Sequence, residues 1–294
     1  MASKEVKLLI LILSFGEGPH QAIQSEGQDA TFMEEAIAHS MVLRYVGTHK
    51  TLPFKYRVIF FIRKYQYALL NFSNYWPIGF AAKLLADSRF ADRAIRAIAR
   101  VSEKGINELS REINEAGKKP RQIITQTPED WSLIGLKTTI AFRHVLENYD
   151  FDYLFRTNTS SYVDVPKLKN FLEGKPEKNL YAGVIGKVFG KLKFASGAGI
   201  LLSRDVVERI CEKENEWKHG LVDDIAIADI VSSLQSPSVE ISELPRLDLA
   251  TLEQAESATS EQILENFHFR CKSSSAIETI QIMKHIHAAK AANI

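Results

Sequence analysis

Two adjacent carboxylates, Asp223-Asp224, stand directly before a short apolar run, Ile225-Ala226-Ile227-Ala228. Neighbouring carboxylates disfavour each other's charge, so one of the pair is held basic enough to take a proton from a hydroxyl. The competing role is helix capping, since Asp at a helix start satisfies free N–H groups and suits the helix dipole. Upstream, an apolar run ends in Arg156-Thr157-Asn158-Thr159-Ser160, a polar turn without a carboxylate. Between the two lies Ser196-Gly197-Ala198-Gly199. Such small residues let backbone approach a sugar ring closely, or make a tight turn or bulge at a strand start. Near the C-terminus His268, Arg270 and Lys272 alternate with apolar residues. On a strand they would share one face and form a cationic clamp for a diphosphate, or else line a solvated edge.

These groups need a scaffold that brings distant segments together. Residues 5–14 read as a buried central strand ending in a turn with Ser14, Gly16 and Gly18, where backbone could admit a nucleotide. A helix is expected over 32–46 and a β-branched and aromatic strand over 56–62. From 133 onward helix and strand alternate: helix 133–148, strand 153–157, helix 165–172, strands 180–185 and 194–202, helices 205–215 and 223–234. That alternation predicts a doubly wound α/β fold, with ligands beyond the carboxyl ends of the strands. The turns after residues 14, 157 and 199 are therefore expected near a site. Ser161 or Asp164 would cap the helix that follows the second of these turns.

The stretch 65–125 reads as a helical insertion. It opens on an aromatic patch (Tyr65, Tyr67, Phe72, Tyr75, Trp76) and carries Arg93, Arg96, Arg100 and Lys104 on one helical stripe. The stripe is a candidate contact for an anionic membrane surface, or the solvated face of a core-packed helix. Residues 236–294 read as a C-terminal, helical extension, with His285 and His287 on the surface of a helix over 276–292. The expectation is a single domain spanning 1–294.

Composition narrows the classes. Apolar residues make up 45% and charged residues 25%, enough for a real core. A net charge of +1 gives no global field for nucleic acid. Cys211 and Cys271 are in neither disulfide-framework nor zinc spacing. The run Lys7–Leu13 is too short to span a bilayer and lacks a small-residue cleavage site after it, so it reads as a strand. These features set the expected location as cytoplasmic, with the basic stripe peripheral on the inner membrane face.

Four segments occur in a recognisable order: Lys137-Thr138, Arg156–Asp164, Ser196–Asp205 with its Ser-Gly-Ala-Gly and Leu-Ser-Arg-Asp, and Asp223-Asp224. Together they resemble the beta-1,3-galactosyltransferase and Fringe-like glycosyltransferases over roughly residues 126–235. The resemblance implies a GT-A fold, Rossmann-like, with a mostly parallel central sheet flanked by helices. It implies inverting transfer from a nucleotide-diphosphate sugar, by family a UDP-sugar, to a hydroxyl of a glycan or lipid-linked glycan. Asp224 would be the base with Asp223 in support, and Ser14, Gly16, Arg156, Gly197, Ala198 and Gly199 would lie around the donor.

In that family an acidic triplet holds a divalent metal that grips the diphosphate. The matching positions here are Asn158, Thr159 and Ser160, a poor set for a hard cation. The expectation is a metal-independent enzyme with no cofactor, its diphosphate held by His268, Arg270 and Lys272. Two rivals remain: a metal enzyme using Asp164 or Asp223 with water ligands, and a non-catalytic glycan- or nucleotide-binding module.

Overall fold

The computed structural model describes residues 5–16, 18–48, 110–113, 119–129, 133–219, 221–234 and 237–292. The expected strand 56–62, the aromatic patch and the Arg93/Arg96/Arg100/Lys104 stripe lie outside the described residues.

Leu8–Leu13 (β1) is six apolar residues, all buried. Such a run suits a strand covered on both faces. Leu9, Leu11 and Leu13 enter one core, and Leu8, Ile10 and Ile12 enter the other. Around β1 the large sheet takes the order β3-β4-β2-β1-β5-β8-β7-β9. Its strands are Met41–Thr48 (β2), Ser110–Ile113 (β3), Arg121–Pro128 (β4), Tyr153–Asn158 (β5), Leu180–Val188 (β7), Leu192–Ser203 (β8) and Glu240–Glu243 (β9). Strand β1 is parallel to β2 and β5, β2 to β4, and β7 to β9; β8 runs antiparallel between β5 and β7, and β3 antiparallel to β4. A second, small sheet has the order β10-β11-β6, from Leu247–Leu249 (β10), His268–Cys271 (β11) and Ser161–Val163 (β6).

Helices cover both faces of the large sheet, giving a mixed α/β fold with a mostly parallel centre. Pro19–Ala22 (α1) runs into a π-helix, Ile23–Gln28, and is followed by Met33–His39 (α2). On one face lie Ile134–Asn148 (α3), Arg204–Glu212 (α5) and Asp223–Ser233 (α6). On the other lie α2, Val165–Leu172 (α4) and Ala276–Ala291 (α9), with the small sheet. Leu252–Ser257 (α7) and Ser260–Glu265 (α8) are short connectors, α8 opened by a capping box at Thr259. Asp164 caps α4, its carboxylate accepting from the Lys167 N–H at 3.0 Å. No helix among the described residues is long and apolar enough to cross a membrane.

The structure corrects several expectations. Residues 41–46 are strand β2, not helix. Ser40 stops α2 by turning extended (φ −154°, ψ 167°), and its hydroxyl caps back onto the Ala36 carbonyl at 2.8 Å. The described end of the expected helical insertion is β3 and β4, strands of the central sheet. The C-terminal extension is not only helical: β9 extends the large sheet, and β10 and β11 build the small one. No turn follows residue 199, because Ser196–Gly199 lies inside the continuous strand β8. His287 is half-buried, its Nδ1 3.2 Å from the Tyr162 hydroxyl.

Candidate functional site

The site sits where the carboxyl end of β5, the middle of β8 and the start of α6 meet. Thr157 is opposite Gly199 across the β5–β8 pairing, so Ser196 and Gly197 extend just past the end of β5. There the backbone of Gly197 joins three of the expected residues. Its carbonyl accepts from the Arg156 guanidinium and from Asn158 Nδ2, the latter at 3.3 Å. Its N–H donates to Asp224 Oδ2 at 2.9 Å. A Cβ at this position would stand 3.0 Å from Arg156 Nη1 and 3.1 Å from Asp224 Oδ2, so a larger residue would push both side chains back by a few tenths of an ångström.

Arg156 is buried and paired with the buried carboxylate of Asp223. A closed ring of side chains satisfies the pair. Arg156 Nε donates to the Tyr45 hydroxyl at 3.1 Å, that hydroxyl lies 3.2 Å from Thr138 Oγ1, and Thr138 donates to Asp223 Oδ2 at 3.3 Å. Burial disfavours the guanidinium cation, but the charge of Asp223, together with Tyr45 and Asp224, outweighs it and holds the Arg156 pKa above its ordinary value. Asp223 is therefore committed to Arg156.

Asp224 is different. It is only partly buried, and its two oxygens accept the N–H groups of Gly197 and Ile225, each at 2.9 Å. Burial, then the neighbouring charge of Asp223, push its pKa up to about 6, against the pull of those N–H groups and of Arg156. A carboxylate so tuned is ionised at neutral pH yet basic enough for proton transfer.

The Asn158-Thr159-Ser160 turn faces the loop after β1. Thr159 Oγ1 lies 3.2 Å from His20 Nδ1, and the His20 ring stacks on Phe15 at 4.9 Å. Burial, then Lys137 and Lys272, depress the His20 pKa, with Glu129 opposing. Lys137 is buried under the first turn, donating to the Ser14 carbonyl at 3.0 Å and to Glu129 at 2.8 Å. Among the described residues the buried Ser14 hydroxyl has no hydrogen-bond partner. Gly16 is half-buried in the same turn.

A divalent cation does not fit these donors. Asn158 Oδ1 already accepts from the Ser160 N–H at 3.0 Å and its hydroxyl at 2.8 Å. The nearest carboxylates are taken by Arg156 and by backbone N–H groups. Asp164 is engaged as a helix cap and by Lys290 at 2.7 Å. Among the described residues no three His, Cys, Asp or Glu side chains gather as a metal-holding group.

Strand β11 runs antiparallel to β6, which carries the chain away from the turn, and the Cys271 N–H donates to the Ser160 carbonyl at 2.7 Å. The three expected clamp residues thus lie by the turn, in three different states. His268 is buried against Gly199 and Ser161, with its pKa pushed down to about 3 by burial and then by Arg246 and Arg270. It is neutral and joins the two sheets rather than carrying charge. Arg270 is half-buried, 3.8 Å from Asp248. Lys272 is exposed, just past the strand and close enough to act on His20. Ala198 is also interior: its carbonyl takes the hydroxyls of Thr157 and Ser161, at 2.5 and 2.9 Å.

Arg246 is a residue that sequence reasoning missed. Its buried side chain forks onto Asp248 at 2.5 and 2.9 Å and donates to Ser196 Oγ at 3.0 Å. His20 and Tyr45 were also missed, and no spacing marks any of the three. Among known proteins, no family model matches the chain, and no curated sequence matches it.

Proposed function

We propose that the protein is an inverting glycosyltransferase of the GT-A type, using a nucleotide-diphosphate sugar, by resemblance a UDP-sugar, without a resident metal. The observation that carries the reading is the double role of Gly197. One glycine backbone ties the polar turn after β5 to a carboxylate whose basicity suits general-base work. The mostly parallel sheet with the turn at the carboxyl end of a central strand supports the same reading.

The chemistry is a single displacement. The acceptor hydroxyl oxygen attacks the anomeric carbon as the bond from that carbon to the diphosphate oxygen breaks. Asp224 takes the hydroxyl proton, and the nucleoside diphosphate leaves with the bonding pair. Lys272, beside the turn, offsets the charge that builds on the leaving diphosphate. Arg156 pairs with Asp223, and the charge of Asp223 helps keep Asp224 basic. The acceptor is a hydroxyl of a glycan or lipid-linked glycan.

One observation favours a binding module instead: both Asp224 oxygens already accept backbone N–H groups. A thermal-shift screen of nucleotide-diphosphate sugars in chelator, followed by assay of nucleotide release, separates the two. Ligand binding with turnover supports the transferase, and binding without turnover supports the module. If no nucleotide sugar raises the melting temperature, the transferase reading fails and a glycan-binding module gains.

A further inference from the structure

A buried polar chain lies behind the turn and takes no part in the chemistry above. Arg44, in the middle of β2 and only 3% exposed, forks onto Asp29 at 2.6 and 3.2 Å. Its Nη2 also donates to Gln28 Oε1 at 3.2 Å. Gln28 is fully buried at the end of the π-helix. Its Nε2 donates to the carbonyls of Asn158 at 3.2 Å and Ser161 at 3.1 Å, the two residues that bracket Thr159-Ser160. One turn earlier Gln24 Nε2 donates to the Phe15 carbonyl at 3.0 Å, and Gln24 O closes the π-helix on the Asp29 N–H at 2.8 Å. One short helical segment therefore grips the turn after β1 and the turn after β5.

Burying an arginine, a carboxylate and two amides costs desolvation that apolar packing would avoid. This chain ends on the carbonyls of the polar turn. With the Cys271 N–H on Ser160 O, three carbonyls, of Asn158, Ser160 and Ser161, are tied to protein donors. Each of these oxygens is thereby engaged by a protein donor, which leaves it less free to serve a cation.

We infer that Gln28 is a positioning residue whose side-chain amide holds the Asn158–Ser161 turn in the shape that receives a diphosphate directly. The inference rests on the nucleotide-sugar reading above. Gln28 keeps the turn preorganised, so the cost of ordering it does not fall on ligand binding. π-helical segments recur at functional sites, which fits this placement.

The test compares the full-length protein with Gln28→Glu and Gln28→Met. The first keeps an acceptor for Arg44 and removes the donor; the second removes the donor without adding charge. UDP binding is measured by calorimetry in chelator, and amide hydrogen exchange is followed over residues 158–161. Both variants are expected to bind UDP about tenfold more weakly, the scale of one lost hydrogen bond. Exchange in the turn should quicken, while the midpoint of Asp224 titration stays in place. Unchanged exchange overturns the clasp. Faster exchange with unchanged UDP affinity overturns the positioning role and leaves the glycosyltransferase reading intact. If the unsubstituted protein binds no UDP, that reading fails and takes this inference with it. A variant that melts early is judged by the other, since one adds a charge and the other adds none.

Discussion

Arg156 and Asp224 meet on the two sides of one residue, Gly197, the guanidinium on its carbonyl and the carboxylate on its N–H at 2.9 Å. The arrangement sorts two adjacent carboxylates into different roles. Asp223 spends its charge on a buried cation, and Asp224, next along the chain, is left to partly exposed surroundings and a raised pKa. The start of α6 is thus the place of the proposed base.

Asp224→Asn should abolish transfer while sparing the fold, because the amide oxygen can still accept the N–H of Gly197 or Ile225. General-base catalysis contributes on the order of a hundred- to ten-thousandfold, so turnover should fall by about that much with nucleotide affinity kept. Nucleotide release assayed alongside UDP binding checks both halves. Turnover that survives the change would put the base elsewhere.

Stability should carry the same signature. The folded state raises the Asp224 pKa to about 6, above its unfolded value of about 3.9. The stabilisation this gives is complete below the unfolded pKa and is lost as pH rises through the folded one. Asp224→Asn, which cannot ionise, should therefore melt above the unsubstituted protein at about pH 7.5, with the gap closing between about pH 6 and pH 4. Activity should run the opposite way, rising with pH through about 6 as the base ionises. Melting curves across this range and a pH–rate profile check the two.

Arg156→Met should be severe, because it leaves the buried Asp223 without its cation. Breaking a buried pair from one side costs about 3–5 kcal/mol. Adding Asp223→Asn to the same chain should recover part of the loss, since the uncompensated charge is then gone. Urea denaturation of the single and double variants gives the coupling. A mild single variant would mean that water reaches Asp223.

Gly199→Ala tests how the two sheets meet. A Cβ there would lie 2.2 Å from His268 Cε1 and 2.7 Å from its Nδ1, and the buried ring has no room to withdraw. Overpacking of this kind costs about 1–3 kcal/mol. Thermal denaturation of the variant reads the cost directly.

Much of the fold was legible because local and global signals agreed. The apolar run of β1 and the stretch of α4 read directly from hydrophobic spacing, and of the two cap candidates, Ser161 and Asp164, the structure uses Asp164. Strand β2 was not legible, and Arg44 is the reason. A charge in the middle of Met41–Thr48 breaks the apolar pattern of a central strand, and only Asp29 and Gln28, from a neighbouring helical segment, make it tolerable there. His268 shows the converse limit. Alternation put it with Arg270 and Lys272, but alternation says nothing about burial, and burial makes it neutral. Asp223 and Asp224 were found as a pair; which one keeps a free charge depended on Arg156, 67 residues away in sequence.

UDP binding, measured by calorimetry first in excess EDTA and then with Mn²⁺, decides whether the diphosphate is held without a metal. The same affinity is expected in both, weakened by about tenfold in Lys272→Ala, the scale of a charge-assisted hydrogen bond. Binding that vanishes in EDTA and returns with Mn²⁺, or that ignores Lys272, would contradict that expectation.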